Sequence, residues 1–187
     1  DNEILTWTIT PGPMAEAITE EIPEVEVAVR TMNNGSKLFQ YNEKSFLERS
    51  LFADSTFFQL LTFPIVKGNA EHLDKSSIAI SEKLAMNLFG DEDPIGKVVK
   101  MGGAYDLEVR AVFADLGDKS SLRFEAILPF DIYKEERGDG FNWGNFDHPL
   151  YVRLHKDASP EATIQKVNEL ADRRITKLAQ ELGEDQD

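Results

Sequence analysis

The chain has 187 residues, 41% of them hydrophobic and 29% charged, and this composition favours a folded domain over a disordered one. The formal net charge of −14 argues against nucleic-acid binding, because Lys and Arg must replace the counterions around phosphate. The absence of cysteine excludes thiolate nucleophiles, thiolate zinc sites and disulfide scaffolds.

The first quarter of the chain predicts short strands around one helix. Met14, Ile18 and Ile22 are spaced four residues apart, which predicts the apolar stripe of a helix. Asn34-Gly35 is typical of a tight turn between two strands. Strands are predicted at residues 3–9, 25–29, 38–41 and 46–53.

Acidic residues dominate residues 1–30, where Arg30 is the one base. The acids are Asp1, Glu3, Glu16, Glu20, Glu21, Glu24 and Glu26. Two interpretations stay open: a solvated helix and edge strand, or an acid-lined partner site.

The middle of the chain predicts a compact run of strands and helices. A strand at 78–80 leads to Ser81, a good N-cap, and to a helix that Gly90 ends. We expect Leu84, Leu88 and Phe89 to pack inward from one face of that helix. Further strands are predicted at 98–101 and 105–113, joined by a hairpin turn at Gly102-Gly103, and at 121–129.

Residues 134–148 are predicted to be the least regular part, because glycines interrupt them. The segment carries Phe141, Trp143 and Phe146, and aromatic side chains are favoured anchors of protein interfaces. These three residues are the candidate partner contacts. The alternative is that the rings tuck under the loop as a small satellite core.

The last part of the chain predicts a strand at 151–154 and a long helix. Ser159-Pro160 is typical of an N-cap followed by proline at the first helical position. The helix should bury one continuous apolar stripe, formed by Ile164, Val167, Ala171, Ile175, Leu178 and Leu182.

No catalytic, cofactor-binding or metal-binding residue is predicted. His72, His148 and His155 lack a histidine partner at i+4, so we expect each to be solvated or capping. The acids at 91–93 follow a helix-ending glycine, which favours a solvated turn over a calcium loop. No phosphate-binding loop is present, and 34 acids leave an acid-pair enzyme open only as a remote alternative.

From about residue 53 to 130 the sequence resembles the MacB-like periplasmic core domain family. The order and spacing of several short motifs carry the resemblance, although each alone is weak. They are ADSTFF (53–58), FPIVKG (63–68), IAISEKLA (78–85), LFG (88–90), DPIGK (93–97), VRAVF (109–113) and SSLRF (120–124), with IPEVE (22–26) upstream.

The predicted strands and helices indicate an α+β chain in which one lobe is inserted into another, and the resemblance implies a two-lobed domain of an FtsX-like ABC transporter permease. It implies a membrane-proximal, porter-like lobe from residues 1–53 and 129–187, and an inserted, sabre-like lobe from residues 54–128. It names no catalytic residue, so we expect a non-enzymatic domain. No run of about 18 apolar residues occurs, so no membrane span is expected in this sequence.

The resemblance also implies partners and a location. A cytoplasmic ATPase domain or subunit would drive the permease, which would work as a homodimer or pseudo-dimer in the inner membrane and contribute to transport or efflux. This domain would pass the motion to a periplasmic client or protein partner. Asp1-Asn2-Glu3 is not a natural initiation, so we expect an excised piece. The resemblance implies a further strand after the last helix, and we expect that strand to be missing from this sequence. The alternative function is a free-standing periplasmic binding or interaction protein.

Overall fold

The computed structural model describes residues 9–71, 73–117 and 122–184, and it shows the predicted α+β fold. Residues 3–8 of the first predicted strand, His72, and the start of the stretch predicted over 121–129 lie outside these ranges.

The described residues form five α-helices and ten strands. The helices are α1 (Met14–Glu21), α2 (Phe57–Leu60), α3 (Glu82–Phe89), α4 (Phe130–Arg137) and α5 (Pro160–Glu184). The strands are β1 (Thr10–Pro11), β2 (Val25–Tyr41), β3 (Lys44–Ala53), β4 (Ile65–Gly68), β5 (Ser77–Ser81), β6 (Val98–Met101), β7 (Tyr105–Phe113), β8 (Ala126–Pro129), β9 (Phe146–His148) and β10 (Leu150–Leu154).

The chain divides into two compact units. Unit 1 is formed by residues 1–30 with 137–187, and unit 2 by residues 31–136. The predicted lobes had boundaries at 53/54 and 128/129 instead. The difference arises because β3 and β8 pair with each other inside unit 2. Which unit lies near the membrane stays a prediction.

Unit 1 is built on α1, α5 and the first part of β2. The apolar stripe of α1 is confirmed, since Met14, Ile18 and Ile22 are all buried in one core. Residues 25–30 of β2 pair antiparallel with β10, and β1 pairs with β9. The alternating burial of Val25, Val27 and Val29 confirms the predicted half-buried strand.

Strand pairing in unit 2 closes on itself. The sequence of pairs runs β2–β3–β8–β5–β7–β6 and returns from β6 to β2. The β3–β8 and β5–β7 pairs are parallel, and the others are antiparallel. Strand β7 pairs with β6 along its first half and with β4 along its second, so β4 stands at the end of the strand order.

The turn predicted at Asn34-Gly35 is wrong. Strand β2 runs without interruption from Val25 to Tyr41. Asn33 pairs with Leu51 and Ser36 pairs with Arg49. Between these pairs β2 has two residues, 34 and 35, whereas β3 has one, residue 50. The dipeptide therefore accommodates an extra residue in a β-bulge, with Gly35 at a φ of 73°.

The predicted unit of strand, cap, helix and glycine is confirmed. The Ser81 hydroxyl accepts a hydrogen bond from the Leu84 backbone N–H at 3.1 Å. Leu84, Leu88 and Phe89 are buried, and Gly90 follows α3 as its C-cap. The hairpin between β6 and β7 is confirmed as well.

The C-terminal helices correct two predictions. The segment expected to be irregular from residue 134 is helical through Arg137, because α4 buries Phe130, Ile132 and Tyr133. Helix α5 begins at Pro160 as predicted, but its apolar stripe is not continuous. Leu170, absent from that stripe, is its buried leucine, whereas Ile164 and Leu182 are exposed.

Candidate partner-contact site

The segment from Gly138 to Pro149 holds the three candidate contact residues. It begins with a 3-10 turn at Gly138–Gly140 and ends in β9. Its own amide side chains fix the intervening loop. The Asn142 Oδ1 accepts from the Gly144 N–H at 2.8 Å, and the Asn145 Nδ2 donates to the Gly140 carbonyl at 2.7 Å. The loop therefore has a defined shape despite its glycines.

Phe141 is used for packing inside unit 1. Its ring centroid lies 5.7 Å from that of His148, and the guanidinium carbon of Arg30 lies 5.3 Å from the Phe141 centroid. A Cβ added to Gly12 would come within 2.4 Å of the same ring. The Phe141 ring therefore packs under the loop, as the satellite-core interpretation expects, and is not an open contact residue.

Trp143 and Phe146 differ in how much of their surface is open. Trp143 is half-buried against the unit 1 core, and the guanidinium carbon of Arg174 lies 5.9 Å from its ring centroid. Phe146, opposite Pro11 in the β1–β9 pair, is 36% exposed. Within the segment, Phe146 is therefore the aromatic side chain best placed for a partner.

A buried polar cluster around His148 lies at the end of this segment. His148 was expected to be solvated or capping, but its side chain is fully buried. The imidazole Nδ1 forms a short contact with Asp147, whose other oxygen lies 3.0 Å from Arg137. Burial lowers the pKa of His148 because it penalises the charged imidazolium, and Asp147 opposes part of that effect. Only a structure could show that β9 turns this side chain inward.

Arg30 is the buried cation of the same region. Its Nη1 donates to the Gly12 carbonyl at 2.8 Å and to Glu16 at 2.7 Å. A buried charge is costly unless it is paired and hydrogen-bonded, and both conditions are met here.

Three acids of residues 1–30 form ion pairs with α5 or β10 within unit 1. Glu21 contacts Arg173 and Arg174 of α5, Glu24 contacts Lys166, and Glu26 lies 2.9 Å from Arg153 of β10. Hydrogen bonds from these cations lower the pKa values of Glu21, Glu24 and Glu26. The acid-rich stretch therefore serves intramolecular contacts, which neither of the two sequence-based interpretations foresaw.

In residues 9–71, 73–117 and 122–184, no group of three or more His, Cys, Asp or Glu side chains is arranged to hold a metal ion. No helix in these ranges combines the length and apolar character needed to cross a membrane.

Comparison with known proteins identifies relatives of the whole fold. The family model for the MacB-like periplasmic core domain matches residues 4–170. A domain of a "putative Permease protein" from Porphyromonas gingivalis is 29% identical, with a TM-score of 0.75, and the match covers 92% of this chain and 74% of that one. No curated protein sequence gives a significant match.

Two more distant structures share the fold. The periplasmic region of MacB from Actinobacillus actinomycetemcomitans is 14% identical, with a TM-score of 0.67 over 88% of this chain and 73% of that one. The extracellular domain of the noncanonical ABC-type transporter YknZ, from Gram-positive bacteria, is 21% identical, with a TM-score of 0.57 over 79% and 76% of the two chains.

Proposed function

The chain belongs to the family of MacB-like periplasmic core domains, and from this premise we propose that it transmits ATP-driven motion to a periplasmic client or partner. Members of this family are periplasmic domains of ABC transporter permeases. The observation that carries the proposal is the family match over residues 4–170, which includes residues of both compact units. The domain itself would perform no chemistry.

The proposed partners follow from the same premise. A cytoplasmic ATPase domain or subunit drives an FtsX-like permease of the inner membrane, and two copies of the permease, or a pseudo-dimeric pair, work together. Membrane-spanning segments of the permease hold that dimer. Efflux is the proposed direction of transport.

The aromatic segment is proposed as the contact for a periplasmic protein. Its support is the exposure of Phe146 and the partial exposure of Trp143 on a loop fixed by its own hydrogen bonds. Rigid aromatic anchors lose little conformational entropy on binding, which is why interfaces favour them.

The transmission proposal can be tested by distance measurements in the full permease with its ATPase. Because this chain has no cysteine, a single introduced one can be spin-labelled without competition here. We expect the label-to-label distance between copies carrying Asp157→Cys to shift when ATP and vanadate are added. The same label beside an inactive ATPase is the control. Unchanged distances with the active ATPase would contradict transmission and favour a static binding role.

The contact proposal has its own experiment. A photoreactive benzoylphenylalanine in place of Phe146 should cross-link the full permease to a periplasmic protein. The matched control is the same residue in place of Leu47, which is more exposed and lies in unit 2. Equal cross-linking from both positions, or none from position 146, would remove the segment from the proposed interface.

A further inference from the structure

A groove in unit 2 lies between the edge strand β4 and helix α3. Its volume is about 250 Å³. The buried residues Ala85, Pro94 and Val112 form its apolar floor. Val66 of β4 and Met86 of α3 form the walls, and their side chains are 48% and 59% exposed.

The rim of the groove is acidic. Glu82 lies at one end of α3, and Asp91 and Glu92 follow its other end. Two nearby lysines are already paired, since the Lys67 Nζ lies 3.6 Å from Asp93 and the Lys97 Nζ lies 2.8 Å from Glu92. Lys97, with a smaller contribution from Lys44, also lowers the pKa of Glu92. Within the described ranges, Glu82 and Asp91 have no ion-pair partner. The Glu82 and Asp91 carboxylates are therefore available to pair with cationic groups of a ligand, one at each end of the groove.

Strand β4 adds a second recognition element. It pairs with β7 on one side, and no other described strand pairs with it. All four of its residues are exposed, including Ile65, which faces a second depression beside Phe58 and Phe63. Native proteins usually protect an apolar edge with charge or cover it, because unpaired backbone groups there accept another strand.

We propose that this groove binds an extended peptide segment of a partner protein, with an apolar side chain at its centre and a basic side chain on either side. The peptide would extend the sheet at β4, place the apolar side chain between Val66 and Met86, and direct its cations to Glu82 and Asp91.

The dimensions of α3 and of a strand agree with this assignment. From Glu82 to Phe89 α3 rises about 10 Å, at about 1.5 Å per residue, and Asp91 follows two residues beyond its end. In a strand, residues i and i+4 lie about 13 Å apart and on the same face. A segment with Lys or Arg at i and i+4 and an apolar residue at i+2 therefore spans the groove.

A second copy of this chain is a poorer occupant than a basic partner. The formal net charge of −14 opposes bringing two copies together, and it adds to the local potential that attracts a basic segment. The groove proposal concerns unit 2 alone and does not depend on transmission of motion or on the aromatic segment of unit 1.

The test uses this chain and two fluorescein-labelled peptides, GKTVTKG and its acidic counterpart GETVTEG. In both, valine and the charged residues share one face, and threonines occupy the other. Fluorescence anisotropy at about 50 mM salt should show that the basic peptide binds at least about tenfold more tightly than the acidic one, and that salt weakens its binding.

Paired variants identify the surface. Glu82→Lys with Asp91→Lys should weaken binding of the basic peptide about tenfold or more, and Met86→Ser should weaken it severalfold. The control, Asp157→Lys with Asp172→Lys, changes two exposed acids of unit 1 and alters the net charge equally. It should bind the basic peptide within about twofold of the parent chain.

Three outcomes would overturn the proposal: no binding of the basic peptide, equal binding of both peptides, or equal losses in the two double variants. A dimer of the parent chain that Met86→Ser dissociates would also overturn it, because the occupant would then be a second copy.

Discussion

Gly68 ends β4 in a conformation that few other residues could adopt. Its φ is +74°, and an added Cβ would lie 2.1 Å from the carbonyl oxygen of Arg110. That carbonyl is fixed, because it accepts the Asn69 N–H at 2.9 Å. Both the backbone conformation and the available space therefore require glycine at this position.

Gly68→Ala should lower the free energy of unfolding by at least about 3 kcal/mol, the sum of left-handed strain and displacement of the β7 backbone. Gly103→Ala is the matched control. Gly103 has the same φ, but no heavy atom lies within 4 Å of its added Cβ, so strain of about 1–2 kcal/mol should be the whole cost. Urea unfolding of both variants measures the difference. Equal costs would show that the close approach to Arg110 has no effect.

His148 should make stability depend on pH in a defined range. Its ordinary pKa is 6.5 and burial lowers it in the folded chain, so the unfolded chain binds more protons below pH 6.5. The neutral, buried His148 therefore contributes fully to the stability of the fold above pH 6.5. This contribution is lost as the pH falls toward the lower pKa of the folded chain. The slope contributed by one group cannot exceed about 1.4 kcal/mol per pH unit.

Urea unfolding of the parent chain and of His148→Gln, at several values from about pH 7.5 to 5.5, isolates this contribution. The variant should lose less stability across that range. Glu21, Glu24 and Glu26 have pKa values below the ordinary 4.5, so their contributions are lost only under more acidic conditions. Identical slopes for the two chains would exclude His148 as the titrating group.

At the scale of single elements, α3 offers an internal comparison between buried and exposed positions. Leu88 is fully buried, whereas Met86, two residues earlier, is exposed. Leu88→Ala should destabilise the chain by about 2–5 kcal/mol and lower Tm by several degrees, because a cavity remains in the core. Met86→Ala should change Tm by less than about one degree. Similar shifts in thermal unfolding would mean that the packing of this helix is misassigned.

Elements defined by local signals were predictable from the sequence, and this helix is the clearest case. Ser81, the spacing of Leu84 and Leu88, and Gly90 act within a few residues of one another, so sequence alone placed both ends. The bulge in β2 was not predictable. Asn34-Gly35 suits a hairpin turn equally well, and the choice depends on the register of β2 against β3, which places Asn33 opposite Leu51 and Ser36 opposite Arg49.

The same distinction applies to the candidate site. The glycines indicated an irregular segment over residues 134–148, and in the structure that segment is helical through Arg137 and irregular after α4. The use of Glu21, Glu24 and Glu26 by α5 and β10 could not be seen in the sequence, because each contact joins residues more than 100 positions apart. The burial of His148 could not be seen either, because it depends on the pairing of β9 with β1, which places His148 opposite Thr10. Leu170 was missed because only tertiary packing shows which side of α5 faces the core.

At the scale of the whole molecule, the strand pairing of unit 2 explains why one inserted segment can form a compact body. Its ring of pairs joins β2 to β6, so residues near 40 and near 100 lie side by side. A sequence of short strands cannot specify such a closure, since parallel pairs such as β3–β8 have no turn signal to indicate them. The predicted strands and helices, together with the family resemblance, indicated the fold class, whereas the unit boundaries emerged only from the pairing.

The charge of the whole chain leads to the last prediction. With a formal net charge of −14, the isolated chain should be monomeric or only weakly dimeric at about 100 mM salt, because like charges oppose association. Sedimentation velocity over a range of concentrations measures this directly. Raising the salt to about 500 mM screens the repulsion, so any weak dimer should then become stronger. A tight dimer at nanomolar concentration would contradict the prediction. It would also show that the domain itself, and not the membrane-spanning part of the permease, holds two copies together.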